Sequence, residues 1–372
     1  MIFWIGVFTI LFISLILNFC IKDKYRKILF YGLFIFITVI GVFRNNIGAD
    51  YYAYQEYFRV VTWKNIGFIE PSFIFFTYIL KYLGLSTQAL FAVYAILINL
   101  FIFLGLRYYC KDNYYIINNF FLFWCLYFIG WWNSLNLIRQ ILAVAIFFYY
   151  SRYLSENNFK KYSLGIICAT CAHYSSIFLL FLYPLRKIRI NLKYFITALL
   201  ILMFLSSTGI IRDIIINIIN ALPFTVYKIT AYVNNDTKVL QNVIGESGTG
   251  LGTLFYYTVF ISAIILADKK NNNVNQFILL IAIGLILKTV FFMFLPLARL
   301  SIYFELFGFL LLANFQKKFF STVFIIGLGL GMLIVSLHHI HQKPLLPKRD
   351  FQHNTNRNID YKFTVDFLKR RF

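Results

Sequence analysis

KKYSLGIICATCAHYSSIFLLFLYPLRKIR, residues 160–189, is the stretch on which the fold turns. Basic residues close it at both ends, and its apolar interior is about long enough to cross a bilayer once. A single crossing would put Lys160 and Lys161 on one side and Arg186, Lys187 and Arg189 on the other. That works against the tendency of Lys and Arg to collect on the cytoplasmic face. A broken hairpin with its tip near His173–Ser176 keeps both ends on one side. Irregular backbone at depth is tolerated where it lines a protein cavity. The charge distribution favours the hairpin, with the single crossing as the alternative.

The rest of the chain sets this segment in a membrane. Of 372 residues, 60% are hydrophobic and only 13% charged, about half the charge density of a soluble domain. Apolar runs recur at roughly 2–20, 27–43, 86–106, 114–132, 136–152, 194–210, 250–267, 275–296, 300–314 and 319–337. Residues 71–83 are too short for a span and read as an interfacial or re-entrant helix. The expected fold is all-α: a polytopic transmembrane helical bundle of about ten or more spans, not a β-barrel with its alternating segments of about ten residues. Residues 1–338 form one transmembrane domain with external loops 44–70 and 211–249, followed by a basic tail, 339–372.

The net charge of +21 sits in short loops and in the tail, so it points to anionic lipid head groups rather than nucleic acid. IKDKYRK (21–27) belongs inside, which puts the N-terminus and residues 44–70 outside. With the hairpin, DKKNNN (268–273) and QKK (316–318) also fall inside, and 211–249 and the tail outside. The first 20 residues lack a basic leader and read as a retained span. The CATC pair, Cys168 and Cys171, reads as buried structural cysteine. GESGTGLG (245–252) lacks the Lys of a P-loop, and HHIH (338–341) has no neighbouring carboxylate, so neither nucleotide, metal nor other cofactor is expected.

Four polar groups stand out against this background. FRNNIGADYYAYQEYF (43–58) carries Arg44, Asp50, Tyr51 and Tyr54. Interfacial anchoring accounts for its aromatics but poorly for its acids. Gly48 permits a turn that brings Asp50 toward Arg44. Arg139, in NSLNLIRQILAVAI (133–146), costs about 2.5–3.5 kcal/mol to insert, and such a residue faces a wet cavity or a partner. Its fork suits phosphate, and Gln140 and Asn136 would line the same cavity. His173, with Ser175 and Ser176, is suited to proton transfer. Arg299 follows FLPLA, with Tyr303 and Glu305 beyond it, and Lys288 is placed to pair with Glu305.

FRNNIGADYYAYQEYF, EPSF (70–73), NLIRQILAVAI (136–146) and AHYSSIFLL (172–180), in this order and spacing, resemble the EpsG family. That family is related in role to Wzy-type O-antigen and exopolysaccharide polymerases. The resemblance covers about residues 1–340; Ala49 stands where the family often has Thr. It implies a glycosyltransferase-C-like bundle in the bacterial inner membrane, joining oligosaccharide repeat units carried on undecaprenyl diphosphate at the outer face. Membrane lipids and a chain-length regulator would be further partners. Within that frame Arg139 and Arg299 would hold the diphosphate, with Arg44 as a third cation. His173 would be the base if the hairpin opens outward, and Asp50 if 160–189 is a simple span. Tyr51, Tyr54, Gln140 and Tyr303 would contact the acceptor sugar. A lipid-linked oligosaccharide flippase, a membrane O-acyltransferase and an O-antigen ligase are the competing classes.

Overall fold

The computed structural model describes residues 2–127, 130–221, 251–267, 272–292, 294–314 and 319–342. Most of the loop expected at 211–249, QKK at 316–318, most of DKKNNN and GESGTGLG, and the tail beyond 342 lie outside the described residues. Among the described residues there is no strand, and the chain is a helical bundle. Its first half contains α1 (Ile2–Cys20), α2 (Asp23–Val42), α3 (Tyr51–Val60), α4 (Pro71–Tyr82), α5 (Thr87–Cys110), α6 (Tyr114–Leu126), the single turn α7 (Trp131–Ser134) and α8 (Ile138–Tyr150). Then follow α9 (Arg152–Ser155), α10 (Phe159–Ala172), α11 (Leu182–Leu185), α12 (Leu192–Ser207), α13 (Ile210–Ala221), α14 (Leu251–Leu266), α15 (Asn272–Val290), α16 (Leu295–Ala298), α17 (Ile302–Ala313) and α18 (Phe319–Gln342).

Among the described residues, three segments are long and apolar enough to cross a bilayer: Phe3–Cys20, Asp23–Val42 and Thr87–Cys110. A fourth, α12 with α13, qualifies only as a pair bent by 79°. Several runs expected as full spans are shorter apolar helices, such as Tyr114–Leu126. Hydropathy alone does not reveal where such a run breaks, because its residues are equally apolar on both sides of the break. α4 is 12 residues long, consistent with the interfacial or re-entrant helix expected there.

The centre of the bundle is built from helices that carry isolated polar residues, such as Asn118 in α6 and Arg139 in α8, but no continuous polar face. Nearly every residue of α6 and α8 is buried, and every residue of α17. A helix with no polar face must be covered on all sides. α5 packs along α8. At Gly105 an added Cβ would stand 2.6 Å from Cδ1 of Phe148, so the missing side chain sets the approach of these two helices.

One end of α1, α2 and α6 is tied by a knot of buried amides. Asn18 Nδ2 donates to Asn119 Oδ1 (2.8 Å) and to the Tyr115 carbonyl (3.1 Å). Asn118 Nδ2 donates to Asn18 Oδ1 (2.9 Å) and to the Arg26 carbonyl (3.0 Å). Arg26, from the basic IKDKYRK loop, is buried; its Nε donates to the Asn18 carbonyl (3.0 Å), where a cation complements the end of α1.

The segment 160–189 is a hairpin. α10 ends at Ala172, His173 takes an extended conformation (φ −156°, ψ 122°), and residues Tyr174–Phe181 return as a 3-10 helix. The two arms meet along their length. Tyr162 Oη donates to the Leu179 carbonyl (2.6 Å), Tyr183 Oη to the Asn157 carbonyl (2.8 Å), and Arg186 Nε to Asn157 Oδ1 (2.9 Å). Both basic ends therefore sit together and His173 is at the tip. Cys168 and Cys171, expected to be buried, are exposed on α10. The buried residues of that helix include Tyr162, Ile166 and Ala169, so the cysteines fall on the opposite face.

Two outcomes test this architecture. Asn118→Leu leaves buried acceptors unpaired and should cost about 0.5–2 kcal/mol, read as a lower thermal midpoint in detergent; an unchanged midpoint would remove the amide knot as a fold determinant. Cysteines placed at 160 and 187 should be labelled by an impermeant thiol reagent from the same side of the membrane, and labelling from opposite sides would contradict the hairpin.

Candidate functional site

Glu70 is the last residue before α4, and Pro71 is the first residue of that helix. Proline disfavours the helical region for the residue before it, and Glu70 is extended (φ −65°, ψ 143°). Its side chain turns into the protein, where the carboxylate is only 5% exposed and is shared between two partners. One oxygen, Oε2, takes the Arg139 guanidinium from α8. The other, Oε1, is 2.6 Å from His173 Nδ1 at the hairpin tip. Glu70 lies 69 residues from Arg139 and 103 from His173 along the chain, yet the three form one hydrogen-bonded line.

The electrostatics of that line follow from its burial. Removal from water works to raise the Glu70 pKa; the Arg139 charge, then His173, outweigh it and hold the carboxylate at about 2. Glu70 is therefore ionised at neutral pH. Three rings surround the Arg139 guanidinium, with centroids at 5.6 Å (Tyr54), 5.8 Å (Tyr57) and 5.6 Å (Phe73). Their faces favour the cation. His173 is the most exposed of the three: its side chain is 29% exposed, against 20% for Arg139 and 5% for Glu70.

Consecutive residues at the tip reach different parts of the fold. His173 meets Glu70. Tyr174 Oη donates to the Ile69 carbonyl (3.1 Å) and accepts from the Gly67 N–H (3.0 Å). Ser175 Oγ and Tyr303 Oη of α17 lie 3.0 Å apart. Gln140 Nε2, beside Arg139, donates to the Arg299 carbonyl (2.9 Å). The structure thus joins the segments carrying Arg139, Gln140, His173, Arg299 and Tyr303. The Arg299 guanidinium is half-buried and makes no hydrogen bond or ion pair among the described residues.

The opening motif is placed differently from expectation. Arg44 is 3% exposed and donates to the Leu135 carbonyl. Its guanidinium lies 4.0 Å from the centroid of Phe91, and burial lowers its pKa to about 10, so it stays charged. Enclosed in this way, it has no open face for a diphosphate. Gly48 has φ +103°, and a Cβ there would collide with the same Leu135 carbonyl oxygen. The Asp50 N–H donates to Asn136 Oδ1 (2.9 Å) as α3 begins. Residues 44–50 therefore grip the 135–136 turn, which leads into α8 and Arg139. Arg44 and Asp50 form no ion pair with one another among the described residues.

Tyr51 and Tyr54 are likewise buried, together with Phe58, along the inner face of α3. They cannot offer a ring to a sugar from there, and Tyr54 serves the Arg139 cage instead. Tyr303 is fully buried, and its hydroxyl is engaged with Ser175, so it too has no exposed ring for a sugar. Lys288 and Glu305 sit on adjoining helices α15 and α17 but do not come within ion-pair distance; the Lys288 ammonium lies 5.5 Å from the Tyr256 ring centroid. No group of three or more metal-ligating side chains occurs among the described residues.

Glu70 was given no role among the expected site residues, although EPSF (70–73) is one of the motifs that carry the family resemblance. One signal was present: the chain holds only 14 acidic residues, and this one directly precedes a Pro and a largely apolar 12-residue helix. Residues 27–347 match the family model described as EpsG family. No curated protein and no solved structure matches the chain.

A double-mutant cycle tests the pair. Glu70→Gln and Arg139→Gln should each cost about 3 kcal/mol, because each leaves a buried charge without its partner. The double variant should lose clearly less than their sum; additive losses in thermal unfolding would show the pair to be uncoupled. The sign of its pH dependence follows from the depressed carboxylate. Its contribution is fully present above the ordinary value of 4.5 and is lost as pH falls through about 2, so stability should not drift between pH 5 and 8 on its account.

Proposed function

Taking as premise that this chain belongs to the EpsG family, we propose that it is a polysaccharide polymerase. In this reading it is a membrane glycosyltransferase that joins repeat units carried on undecaprenyl diphosphate at the outer face of the bacterial inner membrane. The observation that carries the proposal is the His173–Glu70–Arg139 line at the tip of the hairpin.

The proposed chemistry needs a base for the acceptor hydroxyl and positive charge for the departing diphosphate. An ionised Glu70 beside Nδ1 favours the proton on that nitrogen, leaving Nε2 as the acceptor. Nε2 of His173 then takes the hydroxyl proton of the acceptor's nonreducing-end sugar as that oxygen bonds to the anomeric carbon of the donor. The bond from the anomeric carbon to the diphosphate oxygen breaks, and undecaprenyl diphosphate leaves with the electron pair. Glu70 stabilises the imidazolium so formed, and Arg139 holds Glu70 in place and ionised. Arg299, whose guanidinium no described residue engages, is the cation assigned to the leaving diphosphate. Arg44 and Asp50 act at one remove, by fixing the turn that leads to Arg139.

The test is polymerisation in vitro with a purified lipid-linked repeat unit. The wild-type protein should yield a ladder of products, and His173→Ala should lower the rate by about 10²–10⁴-fold, the usual worth of a general base. Arg299→Ala should also lose polymer at unchanged protein level. Accumulation of single-repeat product in a deletion strain is expected; loss of all surface glycan there would instead indicate a transporter, and a normal ladder from His173→Ala would overturn the assignment.

A further inference from the structure

The Tyr174 hydroxyl is used twice, and both uses fall on backbone beside the Glu70–His173 pair. It donates to the carbonyl of Ile69, the residue before Glu70, and accepts from the N–H of Gly67. Tyr174 itself follows His173. One phenol therefore ties the backbone next to the carboxylate to the backbone next to the imidazole, in parallel with the 2.6 Å contact between their side chains.

Within the segment, the Phe68 and Ile69 N–H groups donate to the Asn65 carbonyl (3.1 and 3.0 Å), which ties residues 68–69 back to their own turn, while the Tyr174 hydroxyl ties the segment to the hairpin tip. Residues 66–68 are exposed, and Gly67 has φ +100° with open space where a Cβ would stand. The near end is anchored elsewhere: the Trp63 ring stacks on Tyr78 at 5.1 Å, and Thr62 and Asn65 cap the turn between them. The far end runs straight into Glu70 and Pro71. Between these points the Tyr174 hydroxyl holds a left-handed glycine and the carbonyl beside the carboxylate.

We propose that Tyr174 is a positioning residue of the reaction assigned above: its hydroxyl sets the distance between Glu70 and His173 by clamping residues 67–69 to the hairpin tip. The inference rests on the polymerase reading, with His173 as base. Tyr174 touches neither substrate nor the reacting atoms; it acts by keeping Nδ1 on Oε1, so that Nε2 is held toward the acceptor hydroxyl. A displacement of about 1 Å at such a pair can cost on the order of 10²-fold in rate.

The experiment is Tyr174→Phe in the full-length protein, which keeps the ring and deletes only the hydroxyl. Polymerisation of the lipid-linked repeat unit should show kcat lowered about 10-fold or more with KM unchanged, since orientation rather than binding is lost. In a His173→Ala background the same change should have little further effect, because there is no base left to position. A merely structural role would lower the thermal midpoint and reduce both backgrounds by the same factor, and that outcome, or wild-type kcat in Tyr174→Phe, would overturn the proposal. If the wild-type protein makes no ladder at all, the polymerase reading fails first. If wild-type and Tyr174→Phe make equal ladders, only the positioning role fails.

Discussion

A single ionised carboxylate, buried between a guanidinium and an imidazole, is the contact that the middle of this protein is arranged around. Glu70 could not remain charged at 5% exposure unless both oxygens were met. Arg139 could not remain among Tyr54, Tyr57 and Phe73 without a counter-ion. The two requirements satisfy each other, and in doing so they bind the start of α4 to α8. His173 on the second oxygen adds the hairpin tip.

Other polar contacts support that centre. Arg44, Gly48 and Asp50 hold the 135–136 turn, so the path into α8 is defined before Arg139 is reached. Ser175–Tyr303 and Gln140–Arg299 bring the start of α17 against the hairpin and α8. Far from this region the Asn18–Asn118–Asn119 knot does similar work for α1, α2 and α6 without any net ion pair at its core. In an apolar bundle packing is non-directional, and such directional contacts select one arrangement of helices among many of similar packing energy.

Much of this was legible in the sequence, and the residues show why. Basic residues at both ends of 160–189 identified a hairpin with His173 near its tip, because charge placement constrains sidedness even where length does not. Arg139 was marked by the cost of an arginine in an apolar helix. The partner of that arginine was not identified. A lone Glu before a Pro has the same local pattern whether it caps α4 toward water or turns inward. The aromatics of 51–58 were similarly ambiguous: alternation along α3 shows that one face is apolar, but not that this face encloses a guanidinium and leaves no ring for a sugar.

By itself, then, the sequence determined the class: a helical membrane bundle of the EpsG family, with cationic and imidazole side chains set into apolar surroundings. Hydropathy and charge are properties of short windows, and they act through the solvent on each segment independently. Which charge answers which is a different kind of fact. The pairing of Glu70 with Arg139 and His173 spans 69 and 103 residues, and the burial of Arg44 depends on a turn 91 residues away. Only the tertiary structure decided these, because the energy of a buried charge depends on the direction and distance of a partner that no local pattern specifies.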